Sequence, residues 1–259
     1  MMWTIRPRSE FGVLAAIRSG EGPPLVLLHG VGLRAEAWAA QIEAQAETWT
    51  VIAPDMPGHG ESPVLSEPAT LSTYTDLVAA AITRPVCIAG HSMGAMIALD
   101  LAIRHPDKVR AIAALNAIYR RTPKAAAAVQ HRAASLDGVH VADPSGPLAR
   151  WFDDEHSPEA SACRSWLTDV SPDGYKAAYT VFAHENGPLN EELAALRCPA
   201  LFATGAAEPN STPAMSHAMA ALVPDGRAIV LEGAAHMMPM THPKAVISML
   251  SLFFDECRS

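Results

Sequence analysis

The chain has 259 residues, 49% of them hydrophobic and 18% charged, with a formal net charge of −8. That balance suits a single α/β domain with a large core, and the acidity argues against nucleic acid and anionic membranes as partners, since the basic pair Arg120-Arg121 is not a patch. No stretch reaches the roughly 20 apolar residues of a membrane span, and Met1 to Arg8 carries no apolar run of signal-peptide length.

In chain order, Trp3 to Pro7 and Gly12 to Ile17 read as an opening antiparallel pair. Leu25 to Leu28 is a continuous apolar strand of the kind buried on both faces of a parallel sheet. It ends in the turn His29-Gly30-Val31-Gly32, before a helix over Ala35 to Glu47. A strand at Thr50 to Ala53 leads into the loop Asp55-Met56-Pro57-Gly58-His59-Gly60-Glu61-Ser62, and a helix follows at Leu71 to Ile82. The strand Val86 to Ala89 runs into Gly90-His91-Ser92-Met93-Gly94 and a helix over Met93 to Arg104. After the strand Val109 to Leu115, strand signals stop from about Ile118 to Leu189. Helix-compatible stretches stand there instead, Pro123 to Ser135 and Glu159 to Val170, broken by Pro144, Pro147, Pro158 and Pro172. Alternation resumes with strands at Ala200 to Thr204 and Ala228 to Leu231 and helices at Pro213 to Leu222 and Pro243 to Phe254.

This alternation implies a mostly parallel sheet with helices on both faces. Residues 1–117 and 190–259 form the core, and 118–189 a mainly helical cap lying over the C-terminal edge of the sheet as a lid. Cys87 is placed in a predicted strand and Cys198 at the approach to one, and with Cys163 and Cys257 they form no C-x-x-C pair. They read as reduced cysteines of a cytoplasmic protein.

Glycines two positions before and after Ser92 let the chain reverse tightly from strand to helix, exposing the hydroxyl as a nucleophile at a helix N-terminus. There the Met93 N–H has no intrahelical partner and points at an oxyanion. Serine needs a base held by an acid, in the order serine, acid, histidine for this strand–turn–helix type. His236, on a loop after the strand ending at Leu231, is the candidate base. Glu208, in the turn after Thr204, is the candidate acid. The other natural seat for an acid, after Leu115, reads Asn116-Ala117-Ile118 and holds no carboxylate. Val31 supplies the second N–H of the oxyanion hole. Asp55, His59 and Glu61 do not read as a metal site, because the glycines at 58 and 60 are those of a tight loop. His29 and His59 brace the loops.

The four motifs at 29–32, 55–62, 90–94 and 205–209 with His236, in this order, resemble the α/β-hydrolase fold over essentially the whole length. The departure is Glu208, where that family usually has aspartate. Arg150-Trp151-Phe152 and Ser171-Pro172-Asp173-Gly174-Tyr175 resemble the cap of 3-oxoadipate enol-lactonases. The resemblance implies a serine hydrolase cleaving an ester or lactone of a small molecule through an acyl-enzyme, with no cofactor. Relatives with the same residues cleave carbon–carbon bonds or aminoacrylates or use peracids, and others are ligand-binding modules that hydrolyse slowly. Haloalkane dehalogenases and epoxide hydrolases are disfavoured, since they carry aspartate where Ser92 stands. Candidate substrate contacts are Trp151, Phe152, Met237, Arg120 and Arg121, with Arg150 and Arg164 as further cationic anchors for a substrate carboxylate. The oligomeric state, monomer or homodimer, is not legible.

Overall fold

The computed structural model describes residues 3–65 and 68–257. Met1 and Met2, at the head of the N-terminal stretch read above, lie outside the described residues. Eight strands form one sheet: β1 (Ser9–Phe11), β2 (Leu14–Ser19), β3 (Pro24–Leu28), β4 (Thr50–Pro54), β5 (Val86–His91), β6 (Val109–Leu115), β7 (Ala200–Gly205) and β8 (Gly226–Leu231). Their order is β1-β2-β4-β3-β5-β6-β7-β8, and all pairs from β4 onward are parallel. This is the α/β-hydrolase fold. The opening hairpin sits later in the chain than its sequence pattern suggests. Gly12 has φ 60° and turns the chain, with Phe11 opposite Leu14, so the glycine read as a strand start is the turn itself. Arg6, read as strand, instead donates its backbone N–H to Glu36, and Arg8 just beyond it reaches Glu36 and Asp55.

Why the apolar runs become central strands is clearest in β3. Val26 and Leu28 enter one apolar cluster and Leu25 and Leu27 another, and all four are fully buried. Period-2 alternation sends successive side chains to opposite faces, so a strand covered on both must be apolar throughout. The first face is covered by α2 (Leu71–Ala81), α3 (Met93–Arg104) and α9 (Pro213–Leu222), through Tyr74, Ile97 and Met219 among others. The second is covered by α1 (Ala39–Gln45) and α11 (Pro243–Glu256), through Ile42, Val246 and Phe254.

Between β6 and β7 the chain is helical: α4 (Pro123–Ser135), α5 (Ser145–Trp151), α6 (Pro158–Asp169), α7 (Pro172–His184) and α8 (Asn190–Ala194). Pro158 and Pro172 do not interrupt helices here. Each occupies the first turn, where a missing N–H costs nothing, behind a serine cap: Ser157 accepts from Ala160 N–H and Ser171 from Gly174 N–H. A third apolar cluster joins this segment to the sheet edge, with Leu148, Phe152, Trp166 and Leu167 against Leu33, Met237 and Met240. At one point the backbones themselves touch. A Cβ on Gly58 would collide with the Cα of Gly174, so the loop after β4 and the start of α7 approach as only two glycines allow. The short α10 (Met238–Thr241) completes the set. No described helix is long and apolar enough to cross a membrane.

Candidate active site

Ser92 has φ 56° and ψ −118°, a left-handed conformation that a serine adopts only when its surroundings impose it. The imposition comes from the flanking glycines. A Cβ on Gly90 would collide with the Gly94 carbonyl, and one on Gly94 with the Leu28 carbonyl. The Ser92 N–H donates to the Leu115 carbonyl at 2.9 Å, tying the turn to the end of β6. The turn after β3 abuts it, since a Cβ on Gly30 would lie 3.1 Å from that of Ser92. Val31 follows on this turn and faces the same cavity as Ser92, whereas the Met93 side chain is buried in the core.

His236 and Glu208 meet at 2.6 Å, Nδ1 to Oε2, with the glutamate side chain fully buried. Two backbone groups hold the other carboxylate oxygen: the N–H of Asn210 at 2.7 Å and of Ser211 at 3.3 Å donate to Oε1. Burial pushes the Glu208 carboxyl up, but His236 and these backbone donors outweigh it and hold it at about 2. A carboxylate on Oε2 makes Nδ1 the protonated nitrogen of a neutral ring, leaving Nε2 as the acceptor. His91 clasps His236 from the elbow side: its Nε2–H donates to the His236 carbonyl at 2.7 Å, with the ring centroids 4.9 Å apart. Burial holds His91 itself at about 3, hence neutral. Trp151, from the end of α5, stacks on His236 with centroids 5.7 Å apart and planes 19° off parallel. Ser92 and His236 line one cavity and make no hydrogen bond with one another, as is common before a substrate is bound.

The loops carrying these groups are pinned by the two histidines of the glycine-rich turns. His59 Nε2 accepts the Gly32 N–H and His29 Nε2 the Met56 N–H, each at 2.9 Å. Burial holds His59 at about 3 and lowers His29 as well, so both rings are neutral. Beneath them Arg8 reaches Glu36 and Asp55 with two bonds each, of 2.7 to 3.2 Å, and Asp55 also accepts from Ala35 and Glu61 N–H. No group of three His, Cys, Asp or Glu residues among the described residues is arranged to hold a metal.

The cavity has a volume of about 260 Å³. Of the side chains expected to meet a substrate, Trp151 and Arg121 line it. The other three do not. Phe152 and Met237 are buried in the third apolar cluster, and Arg120 is exposed, donating to Asn190 Oδ1 at 2.7 Å. A further anchor considered, Arg164, pairs with Glu155 at 3.5 Å. Arg150 lines the cavity, as do Arg132 and Asn116, which the sequence alone did not single out for it. Arg132 had a readable signal: Ala125, Ala128, Val129 and Arg132 all line the cavity and fall on one stripe of α4. Among the described residues, Arg121, Arg132 and Arg150 form no ion pair with a carboxylate; Glu185 and Asp143 act on Arg121 and Arg132 only at longer range. Arg121 is buried against the ring of Phe182 at 4.4 Å and hydrogen-bonds the carbonyls of Glu185 and Phe182. Burial pulls it down to about 10.

A family model described as the alpha/beta hydrolase family matches residues 25–249. The chain belongs to this family. Within the alpha/beta hydrolases it is 41% identical, over 88% of both chains, to an (E)-2-((N-methylformamido)methylene)succinate hydrolase from Acinetobacter baylyi. In structure it is similar to a thermophilic esterase from Thermogutta terrifontis solved with malate bound, with TM-score 0.86, 25% identity and coverage of 98% and 100% of the two chains. It also resembles an enol-lactonase from Burkholderia xenovorans LB400, with TM-score 0.82, 23% identity and coverage of 96% and 100%. The likeness to enol-lactonases read from residues 150–152 and 171–175 is thus met at the level of the fold. The protein is a hydrolase of the alpha/beta family.

Proposed function

We propose that the protein is a serine hydrolase that cleaves an acyl bond of a small dicarboxylate. The observation that carries this reading is a single cavity onto which Ser92 and His236 open, with three guanidinium groups, Arg121, Arg132 and Arg150, on its walls and no carboxylate among the described residues paired with any of them. Arg121 is buried, Arg132 half-buried and Arg150 exposed; a buried cation without a counterion is costly, and an anionic substrate would offset that cost at Arg121 on binding. The similar hydrolase from Acinetobacter baylyi is named for an N-acylated methylenesuccinate, and the similar esterase was solved with malate; both molecules are four-carbon dicarboxylates or derivatives of one.

In this mechanism His236 Nε2 takes the Ser92 proton as Oγ attacks the carbonyl carbon, while Glu208 keeps Nδ1 protonated and stabilises the imidazolium. The oxyanion rests on the N–H groups of Val31 and Met93. Collapse expels the leaving amine or alkoxide with the proton from His236, and a water activated by the same ring then hydrolyses the acyl-enzyme. The helical segment between β6 and β7 acts as the lid, and its arginines select the substrate. The bond is an ester, a lactone or an N-acyl bond, and the 41% identical relative puts an N-acylated aminomethylenesuccinate first among probes.

Stopped-flow assays with p-nitrophenyl esters, an enol-lactone and an N-acylaminomethylenesuccinate, on the wild type and Ser92→Ala, test this. A Ser92-dependent burst, with a dicarboxylate preferred over its monocarboxylate analogue, is the expected result. Turnover that survives Ser92→Ala overturns the mechanism, and indifference to the second carboxylate overturns the substrate class.

A further inference from the structure

We propose that Asn116 is a positioning residue of this site: its side-chain amide holds Glu208 Oε2 in line with His236 Nδ1. The proposal rests on the reading of Ser92, His236 and Glu208 as a triad.

Asn116 follows the last residue of β6, and its N–H donates to the Ala203 carbonyl at 2.8 Å. It therefore sits beside the nucleophile's turn, whose own N–H is bound to the neighbouring Leu115. The side chain is buried and lines the cavity. Its Nδ2 lies 3.2 Å from Thr204 Oγ1 and 3.4 Å from Glu208 Oε2. Chemistry fixes which end of the amide points there. The Thr204 hydroxyl spends its hydrogen on the Ser211 carbonyl at 2.7 Å, and Glu208 is a carboxylate, so both neighbours only accept. The NH₂ must face them, and Oδ1 must point away, where it finds no partner among the described residues.

Two features of Asn116 work against stability. The backbone is left-handed, at φ 53°, and the buried Oδ1 is unsatisfied. Asparagine tolerates the first better than most residues do, but an apolar or small side chain would remove the second. An aspartate of the same shape would set a second carboxylate against Glu208. What only asparagine supplies here is a neutral donor of the right length aimed at Oε2, the oxygen that also accepts from His236 at 2.6 Å. With Asn210 and Ser211 on Oε1 and Asn116 on Oε2, the carboxylate cannot swing away from the imidazole.

The test is a set of three variants, Asn116→Gly, Asn116→Asp and Glu208→Gln, with the two doubles that pair a 116 change with Glu208→Gln. Glycine relieves the left-handed backbone and removes the amide, and aspartate keeps the shape while turning the donor into an acceptor. Expected are a fall in kcat of about tenfold for glycine and about 100-fold for aspartate, larger than any change in KM from the altered cavity wall. In the Glu208→Gln background the aspartate penalty should shrink to about twofold, because the carboxylate it repels is gone. The far-downfield proton resonance of the 2.6 Å His236–Glu208 bond should broaden in folded Asn116→Gly. A merely structural role gives the reverse order, with the isosteric aspartate mild. Aspartate at wild-type kcat, or an aspartate penalty undiminished by Glu208→Gln, overturns the proposal; wild-type kcat in Glu208→Gln alone overturns the triad reading instead.

Discussion

Glu208→Gln is the sharpest perturbation of the site because the change is small in shape and large in consequence. Four donors converge on the two carboxylate oxygens: Asn210 N–H at 2.7 Å and Ser211 N–H at 3.3 Å on Oε1, His236 Nδ1 at 2.6 Å and Asn116 Nδ2 at 3.4 Å on Oε2. Glutamine has one acceptor oxygen and one NH₂, so whichever way it turns, the NH₂ faces two donors. If the oxygen stays with the backbone groups, Nδ1–H loses its acceptor and the tautomer with Nε2 free is no longer enforced. If it turns to His236, the N–H groups of Asn210 and Ser211 lose their acceptor, at about 1–3 kcal/mol for the buried Ser211. In either case no negative charge balances the imidazolium of the transition state. Loss of an acid in this role costs about 10⁴ in kcat, or roughly 5.4 kcal/mol in the barrier, with KM little changed because Glu208 does not line the cavity. Steady-state kinetics on the preferred ester, with the acyl-enzyme burst recorded in parallel, measure it. A kcat within tenfold of the wild type would refute the reasoning, because a 2.6 Å bond to the base would then be irrelevant to the chemistry.

Three other outcomes follow from the same geometry. Arg121→Met should raise KM for a dicarboxylate about 10- to 100-fold and leave a neutral ester nearly unaffected; equal effects on both would mean the guanidinium only supports the fold. Arg8→Met should destabilise by about 3–5 kcal/mol, since it strands the fully buried Glu36 and Asp55 side chains, and urea unfolding giving less than about 1 kcal/mol would show that Arg34 and backbone donors suffice. Stability should fall on the acid side. Glu208, Asp55 and Glu36 all have folded pKa values below their ordinary ones, so their contribution is complete above the unfolded carboxylate range near 4 and disappears as pH drops, for Glu208 through about 2. Glu208 alone accounts for something on the order of 3 kcal/mol, so unfolding free energies flat from pH 6 to pH 2.5 would contradict these shifts.

The core was readable because burial on both faces leaves a plain mark: β3 is apolar at every position, and β6 and α9 match their sequence boundaries. The tight turn at Ser92 was readable because steric necessity put glycine at 90 and 94. What the sequence hid was direction. Trp151 and Phe152 are neighbours, yet the first faces the cavity and the second the apolar cluster. Arg120 and Arg121 part company because Arg120 is left-handed, at φ 53°. Prolines 158 and 172 looked like breaks, although a serine directly before each is the mark of a helix start. Asn116 carries no charge to mark it in the sequence, and its link to the site is a hydrogen bond to the Glu208 carboxylate.

The arrangement also explains how a site can be held still without spending charge on every contact. The turns after β3 and β4 carry backbone N–H groups that need acceptors, and carboxylates there would compete with the oxyanion of the proposed mechanism. Neutral imidazoles accept without that field, and burial keeps His29 and His59 neutral. The charges that are used, Arg8 with Glu36 and Asp55, lie one layer below and cancel in a closed set of hydrogen bonds. His236 is treated differently: it stacks on Trp151 from the helical segment, lies against the tilted ring of His91 from the elbow, and bonds Glu208 through its edge. A ring fixed from three elements has little freedom except at Nε2. If the helical segment acts as the proposed lid, its displacement would remove the Trp151 contact, which would tie the order of the His236 ring to the closure of the cavity over a substrate.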